Sequence, residues 1–192
     1  MRHGRTEWNA ARRFQGQSDI PLSEEGRAQA GATAAALASV PLEAIVSSDL
    51  SRALETARAI AALHGLEVAS DPRLREFAFG EWEGLTWDEI VARFPVARDM
   101  AFSSVRAYQP TGGERFDAVR ARVGDVLEAH RHREGTVAFV THAGALHALL
   151  DILVSDDVDL SSVRLTPASI TRIAMDSPRP RLMSLDDVRH LD

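Results

Sequence analysis

Apolar positions repeat with two periods along this chain, and the places where the period switches mark its elements. Residues 21–39 are alanine-rich, with Ser23 as a side-chain cap ahead of Glu24 and Glu25, the acidic first turn that favours a helix start. Ala44-Ile45-Val46-Ser47 predicts a short buried strand, and residues 51–64, closed by Gly65, predict a second helix. Thr86-Trp87-Asp88-Glu89 fits a capping box that opens a short helix ended by Pro95. Residues 96–112 contain Pro110 and Gly112 and show no clear period, so they read mostly as loop. Between residues 114 and 134, Phe116, Val119, Val123, Val126 and Leu127 recur at helical spacing before Gly135 supplies a stop. A buried strand is expected over 136–141, a helix over 145–154, and weaker strands over 169–175 and 181–185. Strands alternating with helices imply an α/β fold. The expectation is three αβα layers, a mainly parallel sheet with helices on both faces and a ligand site at the carboxyl ends of its strands.

Composition narrows the function classes. At 192 residues and 45% hydrophobic the chain can bury one substantial core, so 1–192 is read as a single domain. It has no cysteine, which excludes disulfides, thiolate nucleophiles and cysteine-ligated metals. No apolar run approaches the roughly 18 residues that span a bilayer, and no apolar leader is present, so no membrane association and a cytoplasmic location are expected. A net charge of −6 argues against a nucleic-acid binder, which needs a basic surface. All 22 basic residues are arginine, which removes Schiff-base chemistry and the P-loop lysine. An arginine-only surface fits a coding bias of the source genome as well as a need for planar oxyanion-binding forks.

Near the start stands Arg2-His3-Gly4-Arg5-Thr6-Glu7-Trp8-Asn9, followed by Phe14-Gln15-Gly16-Gln17-Ser18-Asp19. Further on come Ser47-Ser48-Asp49-Leu50-Ser51-Arg52-Ala53, then Leu74-Arg75-Glu76 with Phe79-Gly80-Glu81-Trp82-Glu83-Gly84, and then Thr141-His142-Ala143-Gly144. Taken singly these residues have bland readings: Arg2 a solvated terminal charge, Arg52 a helix-surface residue, Glu76 a loop carboxylate, His142 a satisfied buried histidine. Four segments in this order instead resemble the histidine phosphatase superfamily, the phosphoglycerate mutase-like family, over nearly the whole chain.

The resemblance implies a phosphohistidine intermediate on His3, with Arg2, Arg52 and His142 cradling the phosphoryl oxygens and Glu76 exchanging a proton with the leaving group. It also places Asn9, Gln15, Gly16 and Gly144 around the substrate. The chemistry of these residue types agrees. Phosphoryl transfer asks for positioning and for positive charge around three oxygens, which arginine forks supply. Neighbouring cations lower a histidine pKa and keep the nucleophile neutral. Arg52 lies in the first turn of a predicted helix, where unpaired amides favour an anion. Glu81, Glu83 and Asp88 compete for the acid role, but Glu76 alone matches the position after Leu74-Arg75. No cofactor or metal is expected: His142 and His147 are five apart and point differently on a helix. His130 and His132 are read as solvated, and His64 and His190 as structural.

In the family a central hydrophobic strand precedes the Arg-His-Gly triplet, yet only Met1 stands before Arg2, so the natural start is expected upstream. The short interval between the acid loop and Gly112-Gly113-Glu114 resembles the phosphatase branch. The first expectation is therefore a metal-independent phosphomonoester hydrolase acting on a small phosphorylated metabolite. A mutase-like phosphotransferase and a non-catalytic binding module are the alternatives. Phe102, Arg106 and Tyr108 are expected at the mouth of the site, and a homodimer through an apolar stripe or sheet edge stays open.

Overall fold

Ile45 and Val46 are neighbours in sequence but belong to different cores, and that alternation defines the architecture. In the computed structural model, which describes residues 1–98, 108–155, 158–160 and 162–192, the chain runs through α1 (Glu7–Ala10), α2 (Glu24–Leu37), β1 (Leu42–Ser47), α3 (Ser51–His64) and β2 (Val68–Ser70). It continues through α4 (Trp87–Arg93), α5 (Phe116–His130), β3 (Thr136–Val140), α6 (Ala143–Val154), β4 (Ile170–Ala174) and β5 (Arg181–Asp187). Ile45 packs with Ala34, Leu37, Ala57 and Ile60 of α2 and α3 on one face. Val46 packs with Val126 of α5 and Leu74 on the other. Successive strand residues point to opposite faces, so both faces are covered and the layers are αβα.

The three strands β2, β1 and β3 are parallel in that spatial order, with Ser47 opposite both Ser70 and Val140. Parallel neighbours require crossovers, which α3 supplies between β1 and β2. Gly65 closes α3 in the left-handed region (φ 64°), where a glycine avoids the Cβ clash. The carboxyl ends of β1 and β3 lead into Ser48 and His142, and the end of β3 meets the first residues of the chain.

Met1 to His3 run beside the end of β3. His3 N donates to Thr141 O at 2.9 Å and Thr141 N donates to Met1 O at 3.0 Å, while Arg2 N turns the other way to Ser169 O at 3.2 Å. The buried Met1 amine donates to Phe139 O at 2.8 Å, and burial lowers its pKa to about 5. These residues join the parallel ladder to a separate antiparallel pair, β4 with β5. The expected mainly parallel sheet is thus three parallel strands plus this hairpin.

Some details differ from the sequence reading. The single turn of α1 was not expected; it is held by a capping box between Thr6 and Asn9. Nor was β2, an edge strand whose Ala69 and Ser70 are exposed and which lacks an apolar signal. His130 is not solvated: it is half-buried, its Nδ1 pairs with Val126 O at 2.9 Å and its ring meets Phe139 edge-on. Most of the expected loop over 96–112, including Phe102 and Arg106, lies outside the described residues. Tyr108 stacks on the buried Trp82 with ring centroids 5.2 Å apart.

Candidate active site

His3 sits at the end of the short N-terminal extension, 1% exposed. Its Nδ1 lies 2.7 Å from Gly4 O; a carbonyl can only accept, so Nδ1 carries the proton and Nε2 keeps its lone pair. Gly4 must be glycine here, since a Cβ would overlap Gly26 O. Burial, and then the charges of Arg52 and Arg2, push the His3 imidazole well below its ordinary 6.5. The ring is neutral at physiological pH, with a free nitrogen.

Arg52 enters from the first turn of α3 and is fully buried. Its fork donates to Ser18 O at 2.8 Å and Gly16 O at 2.7 Å, and its Nε donates to His142 Nδ1 at 3.2 Å. His142 Nδ1 is therefore an acceptor, and its Nε2–H donates to Ser48 Oγ at 2.8 Å. The His3 and His142 rings are 5.0 Å apart. Burial, then Arg52, keeps His142 well below 6.5 as well. Burial lowers Arg52 to about 10, against the opposing pull of Glu76 and Asp19, so it remains cationic.

Arg2 donates to Leu165 O, yet its Nε is buried without a hydrogen-bond partner. An orphaned buried donor costs about 1–3 kcal/mol, and a bound oxyanion would remove that cost. Two guanidinium groups and two neutral imidazoles thus surround a place suited to a tetrahedral anion.

Glu76, 9% exposed, completes the cluster. Its Oε1 accepts from Phe77 N and from Gly144 N, both at 2.8 Å, so the first turn of α6 holds the carboxylate. A Cβ on Gly144 would overlap that oxygen. The Glu76 carbonyl takes Arg122 at 2.9 Å and Gln17 Nε2 at 3.2 Å. Of its sequence competitors, Glu81 and Asp88 are exposed. Glu83 is committed to Gln17 N, Ser18 N, Ser18 Oγ and Phe79 N.

The structure brings together Arg2, His3, Arg52, His142 and Glu76, with Gly16 and Gly144 contributing backbone groups. Gln15, buried, pairs with Thr6 Oγ1 at 2.9 Å, and Asn9 Oδ1 is occupied by Thr6 N at 3.1 Å, so both brace the loop after His3. Asp19, and not an empty turn, caps α3: it accepts from Ser51 N at 2.8 Å. Residues the sequence reading missed are Ser48, Gln17 and the Glu114–Arg122 pair. Ser48 and Gln17 lay inside the quoted motifs, whereas Arg122 carried no local signal. Among the described residues no group of three histidine or acidic side chains could hold a metal ion, and no helix is long and apolar enough to cross a membrane.

A buried cluster of two arginines, two neutral histidines and one carboxylate, at the carboxyl ends of parallel strands, has the charge pattern that phosphoryl transfer asks for, on an αβα fold. The sequence model of the histidine phosphatase superfamily (branch 1) matches residues 1–188, and the chain belongs to that superfamily. It is 40% identical over 168 residues to a glucosyl-3-phosphoglycerate phosphatase of Mycolicibacterium vanbaalenii, covering 83% of this chain and 74% of the relative. It is 38% identical to a metal-independent phosphoserine phosphatase of Arabidopsis thaliana, over 100% of this chain and 81% of that one. The solved structure of a mycobacterial glucosyl-3-phosphoglycerate phosphatase with VO3 superposes with a TM-score of 0.83 at 35% identity, covering 97% of each chain.

Proposed function

We propose that this phosphatase hydrolyses small phosphomonoesters through a phosphorylated His3, without a metal. The observation that carries the reading is the contact of His3 Nδ1 with Gly4 O: the carbonyl can only accept, so the lone pair is left on Nε2, in the field of Arg52 and Arg2. In the first step Nε2 attacks phosphorus and the P–O bond to the alcohol breaks. Glu76, protonated, gives its proton to the departing oxygen. In the second step water attacks the phosphohistidine, Glu76 takes the water proton, and the P–N bond breaks to release phosphate and neutral His3.

Arg2 and Arg52 neutralise charge on the equatorial oxygens, and the unpartnered Arg2 Nε is a donor available to such an oxygen. His142 joins them once its Nε2–H swings from Ser48 Oγ to a phosphoryl oxygen. Glu76 Oε1 is held by backbone amides, so Oε2 is the oxygen that exchanges the proton. Asn9, Gln15 and Gly16 act on the substrate side indirectly, the first two by bracing the loop after His3 and Gly16 by its carbonyl on the Arg52 fork. A cytoplasmic location belongs to the same reading, and a chain without cysteine, which can form no disulfide, is compatible with it.

The test is phosphate release from p-nitrophenyl phosphate, phosphoserine, glucosyl-3-phosphoglycerate and other monoesters in EDTA, comparing wild type with His3→Ala. Turnover in EDTA that the variant loses, with an acid-labile label trapped on wild type, supports the reading. A folded wild-type protein that releases no phosphate from any ester sinks it, and isomerisation of a phosphoglycerate without net release transfers the assignment to a mutase.

A further inference from the structure

The backbone of Arg2 and His3 rests on a loop that the reaction scheme does not use. Residues 165–169 meet these two residues three times: Leu165 O accepts from the Arg2 guanidinium, Ser169 O accepts from Arg2 N at 3.2 Å, and Ala168 N donates to His3 O at 2.9 Å. On the opposite side, among the described residues, the backbone of these two residues has Thr141, accepting from His3 N. The loop therefore supplies much of what orients the nucleophile.

That loop is not relaxed. Ala168 is fully buried with φ 63°, a left-handed conformation that a residue with a Cβ enters only against steric cost. Such a conformation persists only where its surroundings over-determine it. Two residues near the end of the chain do so. His190 Nε2 lies 3.1 Å from Ala168 O and 3.1 Å from Thr33 Oγ1. The carbonyl can only accept, so the ring presents Nε2–H to it. Asp186, itself at φ 50°, accepts from Thr166 N at 2.6 Å and Thr166 Oγ1 at 2.8 Å. Its negative charge also acts on Arg2, opposing the effect of burial on that guanidinium. The turn Arg189–Leu191 that carries His190 is fastened in turn by Asp187, which accepts from Arg189 Nε at 2.9 Å and NH2 at 2.6 Å.

We propose that His190 and Asp186 are positioning residues for the nucleophile: together they clasp the 165–169 loop and so hold the Ala168 amide on the His3 carbonyl and Leu165 O on the Arg2 guanidinium. The inference rests on His3 being the nucleophile. Its logic is that of orientation, since misplacement of a reacting group by about 1 Å costs roughly 10²-fold in rate.

The experiment compares wild type, His190→Ala, His190→Gln and Asp186→Asn, all well below their melting temperatures. It measures kcat and KM for p-nitrophenyl phosphate, and vanadate and inorganic phosphate binding by calorimetry. Misorientation should lower kcat about tenfold in His190→Ala with KM within about twofold, and weaken vanadate, the better mimic of the transferring group, more than phosphate. His190→Gln, which can offer an N–H to the same carbonyl, should recover kcat to within about threefold, and Asp186→Asn should fall in the same sense as His190→Ala. A His190→Ala protein with wild-type kcat and vanadate affinity overturns the clasp. So does equal loss in His190→Ala and His190→Gln that follows melting temperature alone. If wild type itself shows no turnover, the phosphatase reading fails, while the vanadate comparison still decides the clasp.

Discussion

Acidification from pH 7.5 to 5.5 should destabilise this protein through two specific residues. His3 and His142 are both buried, and burial with the Arg52 charge holds each well below 6.5, whereas in the unfolded chain each titrates near 6.5. Below that pH the unfolded chain binds two protons that the folded chain refuses. Stability is therefore fully present above 6.5 and is lost as pH falls towards the folded values. Between pH 7.5 and 5.5 the loss is about 1.4 kcal/mol per histidine, or about 2.7 kcal/mol for the pair. The Met1 amine, lowered by burial from 8.0 to about 5, acts in the same direction over the same range. The histidine share must therefore be read as a difference. Urea denaturation followed by tryptophan fluorescence at pH 7.5, 6.5 and 5.5 would compare wild type with His3→Gln/His142→Gln, whose amides cannot titrate. Carboxylates held below their ordinary range, such as Asp49 and Asp71, lose their contribution only at lower pH and leave this window clean. The double variant should keep about 2.7 kcal/mol more of its pH 7.5 stability at pH 5.5 than wild type does. Identical pH dependence in the two proteins would refute the claim that both rings are held neutral.

Three further outcomes are expected. Gly144→Ala would gain about 1 kcal/mol on helix propensity alone, yet its Cβ overlaps Glu76 Oε1 and lies 3.1 Å from Phe77 Cβ. Steady-state kinetics should show kcat/KM down by about 10²-fold, and an unchanged value would separate Glu76 from the chemistry. Arg122→Met removes donors to Arg73 O, Arg75 O and Glu76 O and the partner of Glu114. Partial solvent access limits the cost to about 1–3 kcal/mol in denaturant titration, with kcat lowered because the acid loop loosens. Leu74→Ala empties a fully buried position between β1 and α5 and should cost about 2–5 kcal/mol by the same assay, with KM unaffected in the fraction that remains folded.

The two periods along the chain made most of the fold legible. α3, α5, α6, β1 and β3 follow from their apolar runs and spacing, and α2 from its alanine-rich composition behind the Ser23 cap. β2 escaped because an exposed edge strand needs only backbone pairing, and Val68-Ala69-Ser70 has no buried face to mark it. The N-terminal extension escaped for another reason: three residues are too few to show a period, and their partners Thr141 and Ser169 lie well over a hundred positions away.

The candidate groups that the structure brings together were legible because phosphoryl chemistry constrains residue type, and each candidate stood in a dense local motif. What holds those groups was not. Arg122 reaches back 46 positions to the Glu76 carbonyl, and His190 reaches 22 to Ala168; both contacts depend on how loops and helices pack, not on spacing. Ala168 shows the limit most clearly, since alanine carries no sign that its backbone will be left-handed. A positive φ on a glycine can be anticipated from the residue, but on an alanine it is imposed by its neighbours, and here it falls in the loop whose amide holds the His3 carbonyl. Strain placed there by non-local contacts is consequently where substitutions remote from the chemistry should have the largest effect on it.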